Sequence, residues 1–363
     1  MAIKFLDLKL QQKDIMDDIN QRIANIFENT SFILGPEVAE LEQSFVNLIG
    51  TKYAIGVASG TDALLLSLSA VGVGYGDEVI TSPFTFNATV DTVCRLGAKP
   101  VFVDIDENSL CINPDLIESK ITSKTKAIIP VHIFGRCADM DKIMTIAHKH
   151  DLPVIEDVAQ ATGVEMNGRK AGSIGTTGCF SFYPTKNLGG AGDGGMITTN
   201  HPEVLEKIED ICYVRGRANV CVGQNSRLDS IQAAYLNAKM PLLEKWNKQR
   251  IDNSRMYKDL LCNLKTIKCP EYIDDFSHVY NLYTIRAERR DELAQYLKDN
   301  QIGCAVYYAL PLHLQPYLAF LDHKDGDFPV SEDACRNVIS IPAYPGISQE
   351  DIKTVAETII NFY

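Results

Sequence analysis

The feature that most limits the possible folds is a regular alternation of β-type runs and helical runs between residues 53 and 157. Runs rich in β-branched and aromatic residues lie at 53–57, 78–81, 101–105, 127–133 and 153–157. Runs with helical spacing of apolar residues lie between them, at 63–71, 87–96, 114–121 and 140–148. This alternation predicts an α/β domain with a largely parallel sheet, whose ligands bind at the carboxyl ends of the strands.

The pattern differs on either side of this region. Two amphipathic helical patterns precede it, at 8–29 and 38–48. After residue 241 the predicted elements are a helix at 243–261, strands at 280–286, 305–308 and 338–341, and helices at 291–300 and 349–362. We therefore predict a large α/β domain over residues 1–241 and a smaller C-terminal α+β domain over residues 242–363.

Charge and composition exclude several classes of partner. The net charge of -12 argues against nucleic acid, because phosphate backbones are bound by an excess of lysine and arginine. No apolar run reaches the roughly 18 residues that can span a bilayer. The ten cysteines are scattered without a Cys-x-x-Cys pair, and the N-terminus has no signal-peptide core. We expect a cytoplasmic protein with no metal site and no membrane partner.

One lysine stands in an unusual setting, within GCFSFYPTKNLGGAGDGGMITTN at 178–200. The segment predicts a strand, a turn that carries Lys186, a glycine-rich loop and a second strand. An ordinary solvated lysine is the alternative. Residues 190–195 match GxGxxG, but a dinucleotide-binding loop opens a helix and this one leads into a strand. We interpret the glycines as a tight return that holds Lys186 in place.

Two loops that follow predicted strands offer ligand contacts. Residues 58–64 open an apolar helix, where Gly60 and Thr61 can present free N–H groups to a phosphate. A plain helix cap by Ser59 or Thr61 is the alternative. Residues 83–87 supply aromatic side chains that can either stack on a flat ring or pack in the core.

Two carboxylates end the strand predicted at 153–157. Because strand side chains alternate, we expect one of Glu156 and Asp157 to face the ligand edge and the other a helix or solvent. A simple helix cap is the alternative. Lys186 follows the next strand along, so the amine and a carboxylate can reach one cleft at the strand ends. A lysine, a carboxylate, a phosphate site and an aromatic surface together suit pyridoxal 5′-phosphate.

These segments resemble the DegT/DnrJ/EryC1/StrS family of sugar aminotransferases along nearly the whole chain. The resemblance rests on FLDLK at 5–9, GVASGTDAL at 56–64, PFTFNAT at 83–89, EDVAQATG at 156–163, SFYPTKNLGGAGDGG at 181–195 and NSRLDSIQAA at 225–234. It implies the fold type I of PLP-dependent transferases, which is aspartate aminotransferase-like, with a mostly parallel seven-stranded sheet. It also implies a homodimer with active sites at the subunit interface.

The resemblance further implies a role for each matching residue. Lys186 forms the imine with the cofactor and shuttles a proton, and Asp157 pairs with the pyridine nitrogen. The other implied cofactor contacts are Phe86 on the ring, Gln160 near the phenolic oxygen, and Gly60, Thr61, Ser181 and Asn225 at the phosphate, the last from the other subunit. Arg227 orients the loop of Asn225 in this interpretation, and a surface ion pair is the alternative.

The same resemblance implies the substrates. Lysine at 186, where one family branch has histidine and performs deoxygenation, favours transamination. The implied donor is L-glutamate and the acceptor a nucleotide-linked keto-sugar. Residues 307–313, YYALPLH, resemble the YYPLPLH segment of members that act at C3. We therefore expect Tyr183, Tyr308 and His313 to contact a dTDP-3-keto-6-deoxyhexose.

Alternatives remain open at this point. The acceptor can be a dTDP- or UDP-linked 4-keto-sugar that is aminated at C4, and Tyr183 and Tyr308 can be packing residues. The chain can also be a non-catalytic homologue that keeps the fold and the cofactor for a regulatory or scaffolding role. A lyase-type reaction on the same cofactor is a further possibility.

Overall fold

The computed structural model describes residues 2–212 and 221–363. Its strands are β1 Tyr53–Val57, β2 Glu78–Thr81, β3 Lys99–Phe102, β4 Thr125–Ile128, β5 Ile155–Asp157, β6 Glu165–Met166, β7 Arg169–Lys170, β8 Thr177–Ser181, β9 Gly195–Thr199, β10 Ile267–Lys268, β11 Tyr283–Ala287 and β12 Val338–Ile341. Its α-helices are α1 Lys9–Gln12, α2 Met16–Asn29, α3 Pro36–Ile49, α4 Gly60–Ala70, α5 Asn87–Arg95, α6 Met140–Lys149, α7 Pro202–Cys212, α8 Ser230–Lys239, α9 Leu243–Leu261, α10 Arg290–Asp299, α11 Pro329–Asn337 and α12 Gln349–Phe362. Short 3₁₀ turns lie at Pro114–Leu116, Glu118–Lys120, Ile133–Gly135, Met240–Leu242, Leu312–Leu314 and Pro316–Leu321.

The central sheet has the spatial order β3-β2-β4-β5-β8-β9-β1. The pairs β3–β2, β2–β4 and β5–β8 are parallel, and β4 meets β5 through parallel bridges at Ile128–Val154 and Val131–Asp157. Within this sheet β9 runs in reverse, antiparallel to both β8 and β1. The carboxyl ends of the other six strands therefore share one edge, where ligands of open α/β sheets bind.

Helices cover both faces of this sheet. On one face, Phe45 of α3 packs edge-on against Phe180 and Phe182, with ring centroids 5.2 and 5.4 Å apart. On the other face, Leu66 of α4 is buried in the same cluster as Ile197 of β9. Because α4 lies between the sheet and helices α5 and α7, it is apolar on nearly every side. This burial fixes the N-terminus of α4 at the ligand edge.

A second, antiparallel sheet, β10-β11-β12, forms the C-terminal part together with helices α9, α10 and α12. Helix α9 begins at Leu243, close to the predicted boundary at 241/242, and the domain division itself stays a prediction. In residues 2–212 and 221–363, no helix is long and apolar enough to cross a membrane. The same residues contain no group of histidine, cysteine and carboxylate side chains that could hold a metal ion.

Three predicted elements differ from the structure. The helix predicted at 8–29 is broken into α1 and α2, because the apolar spacing behind the prediction starts only at Ile15. The run at 114–121 forms two 3₁₀ turns, since so short a segment gains too little from helical hydrogen bonds. The run at 305–308 is not a strand: Ala305 alone pairs with Ser340, and the chain then leaves the sheet for the cavity described next.

Candidate active site

A cavity of about 560 Å³ opens at the shared carboxyl edge of the parallel strands. Its walls come from the segments after β1, β2, β5 and β8 and from the C-terminal part of the chain. Most of the predicted site residues line it together: Gly60, Thr61, Phe86, Asp157, Gln160, Ser181, Tyr183, Lys186 and Tyr308. The structure thus gathers residues from five separate segments of the sequence around one space.

The turn that presents Lys186 is fixed by backbone hydrogen bonds. The N–H of Lys186 donates to the carbonyl oxygen of Tyr183 at 2.9 Å, and the N–H of Gly190 donates to that of Phe182 at 2.7 Å. A side chain on Gly189 would collide with the carbonyl oxygen of Pro184, so the turn requires glycine there. The glycine run therefore acts as the predicted tight return, which leads directly into β9.

Burial sets the charge state of the Lys186 amine. Desolvation lowers its pKa to about 8 from the ordinary 10.5, and the negative charge of Asp157 opposes this shift. An amine with a pKa near 8 is partly neutral at physiological pH. It can therefore act as a nucleophile and as a proton acceptor, which a solvated lysine rarely does.

Asp157 is buried at the end of β5 with both carboxylate oxygens engaged. Oδ2 accepts a hydrogen bond from the hydroxyl of Thr89 at 2.9 Å, and Oδ1 accepts one from the N–H of Ala159 at 3.1 Å. The Thr89 hydroxyl also lies 3.0 Å from that of Thr85. Burial raises the pKa of Asp157, while Ala159, Thr89 and Lys186 pull it down. The carboxylate is thus held in one orientation inside the cavity wall.

Glu156 points to the opposite side of β5, as strand alternation requires. Its carboxylate accepts hydrogen bonds from the N–H groups of Gly172, Ile174 and Gly175 at 2.7–2.9 Å and lies 3.2 Å from Nε2 of His132. The prediction that one of the two carboxylates faces the ligand edge agrees with this arrangement. Glu156 faces a buried loop, however, rather than a helix or solvent.

The start of α4 forms a cradle of the kind that binds phosphate. Ser59 caps the helix, because its hydroxyl accepts from the N–H of Asp62 at 3.1 Å. The cap leaves the N–H groups of Gly60 and Thr61 without an intrahelical acceptor. A Cβ on Gly60 would lie 2.6 Å from Cβ of Ser181, so glycine lets α4 approach the end of β8. Capping and anion binding are therefore compatible here.

Aromatic and amide groups complete the walls. Gln160 is fixed at both ends: Oε1 accepts from the N–H of Phe134 at 2.7 Å, and Nε2 donates to the hydroxyl of Tyr308 at 3.1 Å. The ring of Tyr308 packs edge-on against Phe84, 5.9 Å between centroids. Phe86 and Tyr183 are more than half exposed at the cavity, which places free aromatic surface at its open side.

The structure does not bring every predicted residue to the cavity. His313 is buried elsewhere, with Nε2 3.0 Å from Oε1 of Glu332 and its ring against Phe328. Its imidazole therefore contacts Glu332 and Phe328 and does not line the cavity. Asn225 is exposed and Arg227 is partly exposed, and neither lines the cavity of its own chain. Their predicted roles at the phosphate therefore stay predictions.

Thr89, Arg250 and Asn281 are polar cavity residues that sequence reasoning did not single out. Thr89 lies inside the quoted PFTFNAT segment, three positions after Phe86, so that segment contained a usable signal. Arg250 and Asn281 lie on α9 and before β11, and nothing in their local sequence marks them. Their importance appears only from their burial in the folded chain.

The residues present fit pyridoxal 5′-phosphate. The cavity offers a partly neutral amine on Lys186, an oriented buried carboxylate on Asp157 and free helix N–H groups beside Ser181. Lys186 would hold the cofactor through its side-chain amine, and Asp157 would pair with the pyridine nitrogen. Gly60, Thr61 and Ser181 would hold the phosphate, and Phe86 offers a ring face.

Comparisons with known proteins agree with this geometry. A model of the DegT/DnrJ/EryC1/StrS aminotransferase family matches residues 13–360. The chain is 44% identical to the pleiotropic regulatory protein of Geobacillus stearothermophilus, over 100% of this chain and 99% of that protein. It is 42% identical to the UDP-2-acetamido-2-deoxy-3-oxo-D-glucuronate aminotransferase of Pseudomonas aeruginosa, over 99% and 100%. It is 40% identical to the dTDP-3-amino-3,6-dideoxy-alpha-D-galactopyranose transaminase of Aneurinibacillus thermoaerophilus, over 98% of each.

Solved structures match nearly the whole chain. The crystal structure of S. venezuelae DesV in complex with a ketimine intermediate superposes with a TM-score of 0.96 at 36% identity, over 99% of this chain and 98% of that one. The structure of NtdA from Bacillus subtilis with bound cofactor PMP gives a TM-score of 0.92 at 31% identity, over 99% and 85%. These matches confirm the predicted fold class.

Proposed function

We propose a substrate for this chain, which belongs to the DegT/DnrJ/EryC1/StrS aminotransferase family and depends on pyridoxal 5′-phosphate. The chain transfers an amino group from L-glutamate to C3 of a nucleotide-linked keto-sugar, with a dTDP-3-keto-6-deoxyhexose as the acceptor. The observation that carries the proposal is the presence of both Lys186 and Asp157 in the wall of one cavity, where burial lowers the pKa of the amine and raises that of the carboxylate.

Lys186 and Asp157 divide the proton chemistry between them. When bound, pyridoxal phosphate supplies a carbon that takes up the amino group and a ring that holds the electrons left by a departing proton. Lys186 can take a proton from the substrate carbon and return it, because its pKa of about 8 keeps both forms populated near neutral pH. Asp157, oriented by Thr89, would stabilise positive charge on the ring nitrogen of the bound cofactor.

Transfer at C3 is supported by the names of relatives. The P. aeruginosa protein is named for a 3-oxo sugar and the A. thermoaerophilus protein for a 3-amino sugar. In this chain Tyr183 and Tyr308 line the cavity, where they can contact the acceptor. The first relative is named for a UDP sugar and the second for a dTDP sugar, so the experiment below compares acceptors with both nucleotides.

A regulatory role is a second candidate, because the G. stearothermophilus relative is named a pleiotropic regulatory protein. Such a role requires cofactor binding without proton transfer. A homologue that had given up catalysis would be free to lose part of the catalytic set, yet Lys186, Asp157 and the phosphate cradle at Gly60, Thr61 and Ser181 all line the cavity. We therefore favour catalysis.

Catalysis and a regulatory role predict different changes in the visible absorption of the cofactor-loaded protein. Cofactor-loaded protein should be yellow, L-glutamate should remove the visible band, and the keto-sugar acceptor should restore it. A dTDP-3-keto, a dTDP-4-keto and a UDP-3-keto sugar are compared side by side, and we expect the first to restore the band fastest. Protein that binds the cofactor and keeps its colour with glutamate would contradict transamination and favour regulation.

Two variants test the catalytic pair. Lys186→Ala should abolish turnover, with Lys126→Ala, an exposed lysine of β4, as the control. Asp157→Asn should slow the reaction about 100-fold or more, as loss of a preorganised electrostatic partner does. Near-native activity of Lys186→Ala, or a change below about threefold for Asp157→Asn, would remove these roles.

We propose in addition that the enzyme is a homodimer in which Asn225 of the partner subunit completes the phosphate site. Asn225 is exposed and does not line its own cavity, which is consistent with this role. Lys186→Ala and Asn225→Ala chains should each be impaired alone. Mixed dimers should regain activity, because one of the two sites then has both residues intact. A monomer in sedimentation, or no recovery on mixing, would contradict the shared site.

A further inference from the structure

Arg250 is a buried cation without a counter-ion. It lies on α9, lines the cavity and is 3% exposed. Its one hydrogen bond runs from a terminal guanidinium nitrogen to the carbonyl oxygen of Asn281, at 3.2 Å, and its Nε has no partner. Across residues 2–212 and 221–363, no aspartate or glutamate pairs with it. Residues 1 and 213–220 contain no carboxylate side chain at all.

Such an arrangement is costly in the free protein. A guanidinium has five N–H donors in a planar fork that matches a carboxylate, and burial without one leaves charge and donors uncompensated. Burial alone lowers the pKa of Arg250 to about 10. A buried cation that is kept unpaired beside a cavity is explained if a ligand supplies the counter-ion.

A second donor stands beside it. The side-chain nitrogen Nδ2 of Asn281 is buried and has no hydrogen-bond partner in the described part of the chain, and Asn281 also lines the cavity. The backbone of Asn281 accepts the hydrogen bond from Arg250, so the two residues are neighbours. Together they offer a positive charge and unused N–H groups to one wall of the cavity.

We propose that Arg250, with Asn281, binds a carboxylate of the amino-acid donor. This inference rests on the proposed aminotransferase function and names the group that selects its donor. The other anionic group of the substrates is the nucleotide diphosphate, which is bulky and carries a nucleoside. It fits the open side of the cavity near Phe86 and Tyr183 better than the enclosed wall at Arg250.

Binding of glutarate tests the proposal without turnover, because this five-carbon dicarboxylate has no amino group to transfer. Its Kd is measured calorimetrically on cofactor-loaded wild type, Arg250→Gln and Arg250→Lys. Arg255→Gln, an exposed arginine on the same helix, is the matched control. The Kd of dTDP is measured on the same proteins. The melting temperature and the visible band report whether each variant is folded and loaded.

Loss of a charged hydrogen-bond partner should weaken glutarate binding about 10- to 100-fold in Arg250→Gln. Arg250→Lys should weaken it less, and dTDP binding should change by less than about twofold. In turnover, Arg250→Lys should raise the KM for glutamate with little change in the KM for the sugar. This difference between the two KM values in Arg250→Lys tests the proposal even if Arg250→Gln fails to fold.

Three results would overturn the assignment. The first is that wild type does not bind glutarate. The second is that wild type and a folded Arg250 variant bind glutarate equally well. The third is that an Arg250 variant loses dTDP binding but keeps glutarate binding, which would assign the residue to the diphosphate. Wild type that binds glutarate in an Arg250-dependent way but aminates no nucleotide sugar would refute the proposed acceptor and leave the carboxylate site standing.

Discussion

The lowered pKa of Lys186 leads to a quantitative prediction for the cofactor-free protein. The amine titrates near 8 instead of 10.5 because burial disfavours its charged form more than Asp157 restores it. At pH 7.5 about a quarter of the molecules then carry a neutral amine, against about 0.1% for an ordinary lysine. Lys186 should therefore react with amine reagents about two hundred times faster than its ordinary pKa would allow.

The assay is a short pulse of a limiting acylating reagent at a series of pH values from 6 to 11, with peptide mass spectrometry to read the modification at Lys186. We expect the rate to rise through a midpoint near pH 8. Lys186→Arg should lose the fast site. Asp157→Asn should move the midpoint below that of wild type, because the carboxylate that favours the charged amine is gone.

A midpoint at pH 10 or above in wild type would refute the reasoning from burial. A midpoint that rises in Asp157→Asn would refute the sign of the Asp157 contribution. The first result would leave Lys186 with the charge of a surface lysine, and its role as a proton acceptor at neutral pH would have to be given up.

Three further changes test the surroundings of the pair. Thr89→Val removes the O–H donor to Asp157, so the carboxylate pKa should rise, the acid limb of the kcat profile should move to higher pH, and kcat should fall about tenfold. Glu156→Gln turns an acceptor for backbone N–H groups into an amide and should cost about 3 kcal/mol in denaturant unfolding. Gly60→Ala places a methyl group 2.6 Å from Cβ of Ser181 and should weaken cofactor binding at least about tenfold in a fluorescence titration.

Much of the cavity could be predicted from the sequence for a topological reason. In a parallel sheet, the segments that follow the strands meet at one edge, so the motifs after β1, β2, β5 and β8 had to converge once the strands were recognised. The alternation of side chains along β5 then separated Asp157 from Glu156. Neither step required knowledge of packing.

The residues that escaped prediction depend on contacts between distant parts of the chain. The hydroxyl of Thr89 meets Asp157 only because α5 packs beside the end of β5. His313 shares a segment with Tyr308, yet the 3₁₀ turn at Leu312–Leu314 carries it to Glu332 and away from the cavity. A motif match assigns a whole segment, whereas the backbone path decides each residue within it.

Arg250 and Lys186 illustrate one physical argument from opposite ends. Both are cations whose pKa is lowered by burial, but Lys186 has Asp157 near it and Arg250 has no carboxylate among the described residues. Burial makes a partly neutral lysine more reactive. An arginine with a pKa of about 10 stays charged at neutral pH, so its burial is stabilised only when an anion binds beside it. The same burial therefore produces a proton carrier at Lys186 and, in our proposal, a carboxylate-binding group at Arg250, both lining one cavity. A donor that carries both an amine and a carboxylate can satisfy the two at once.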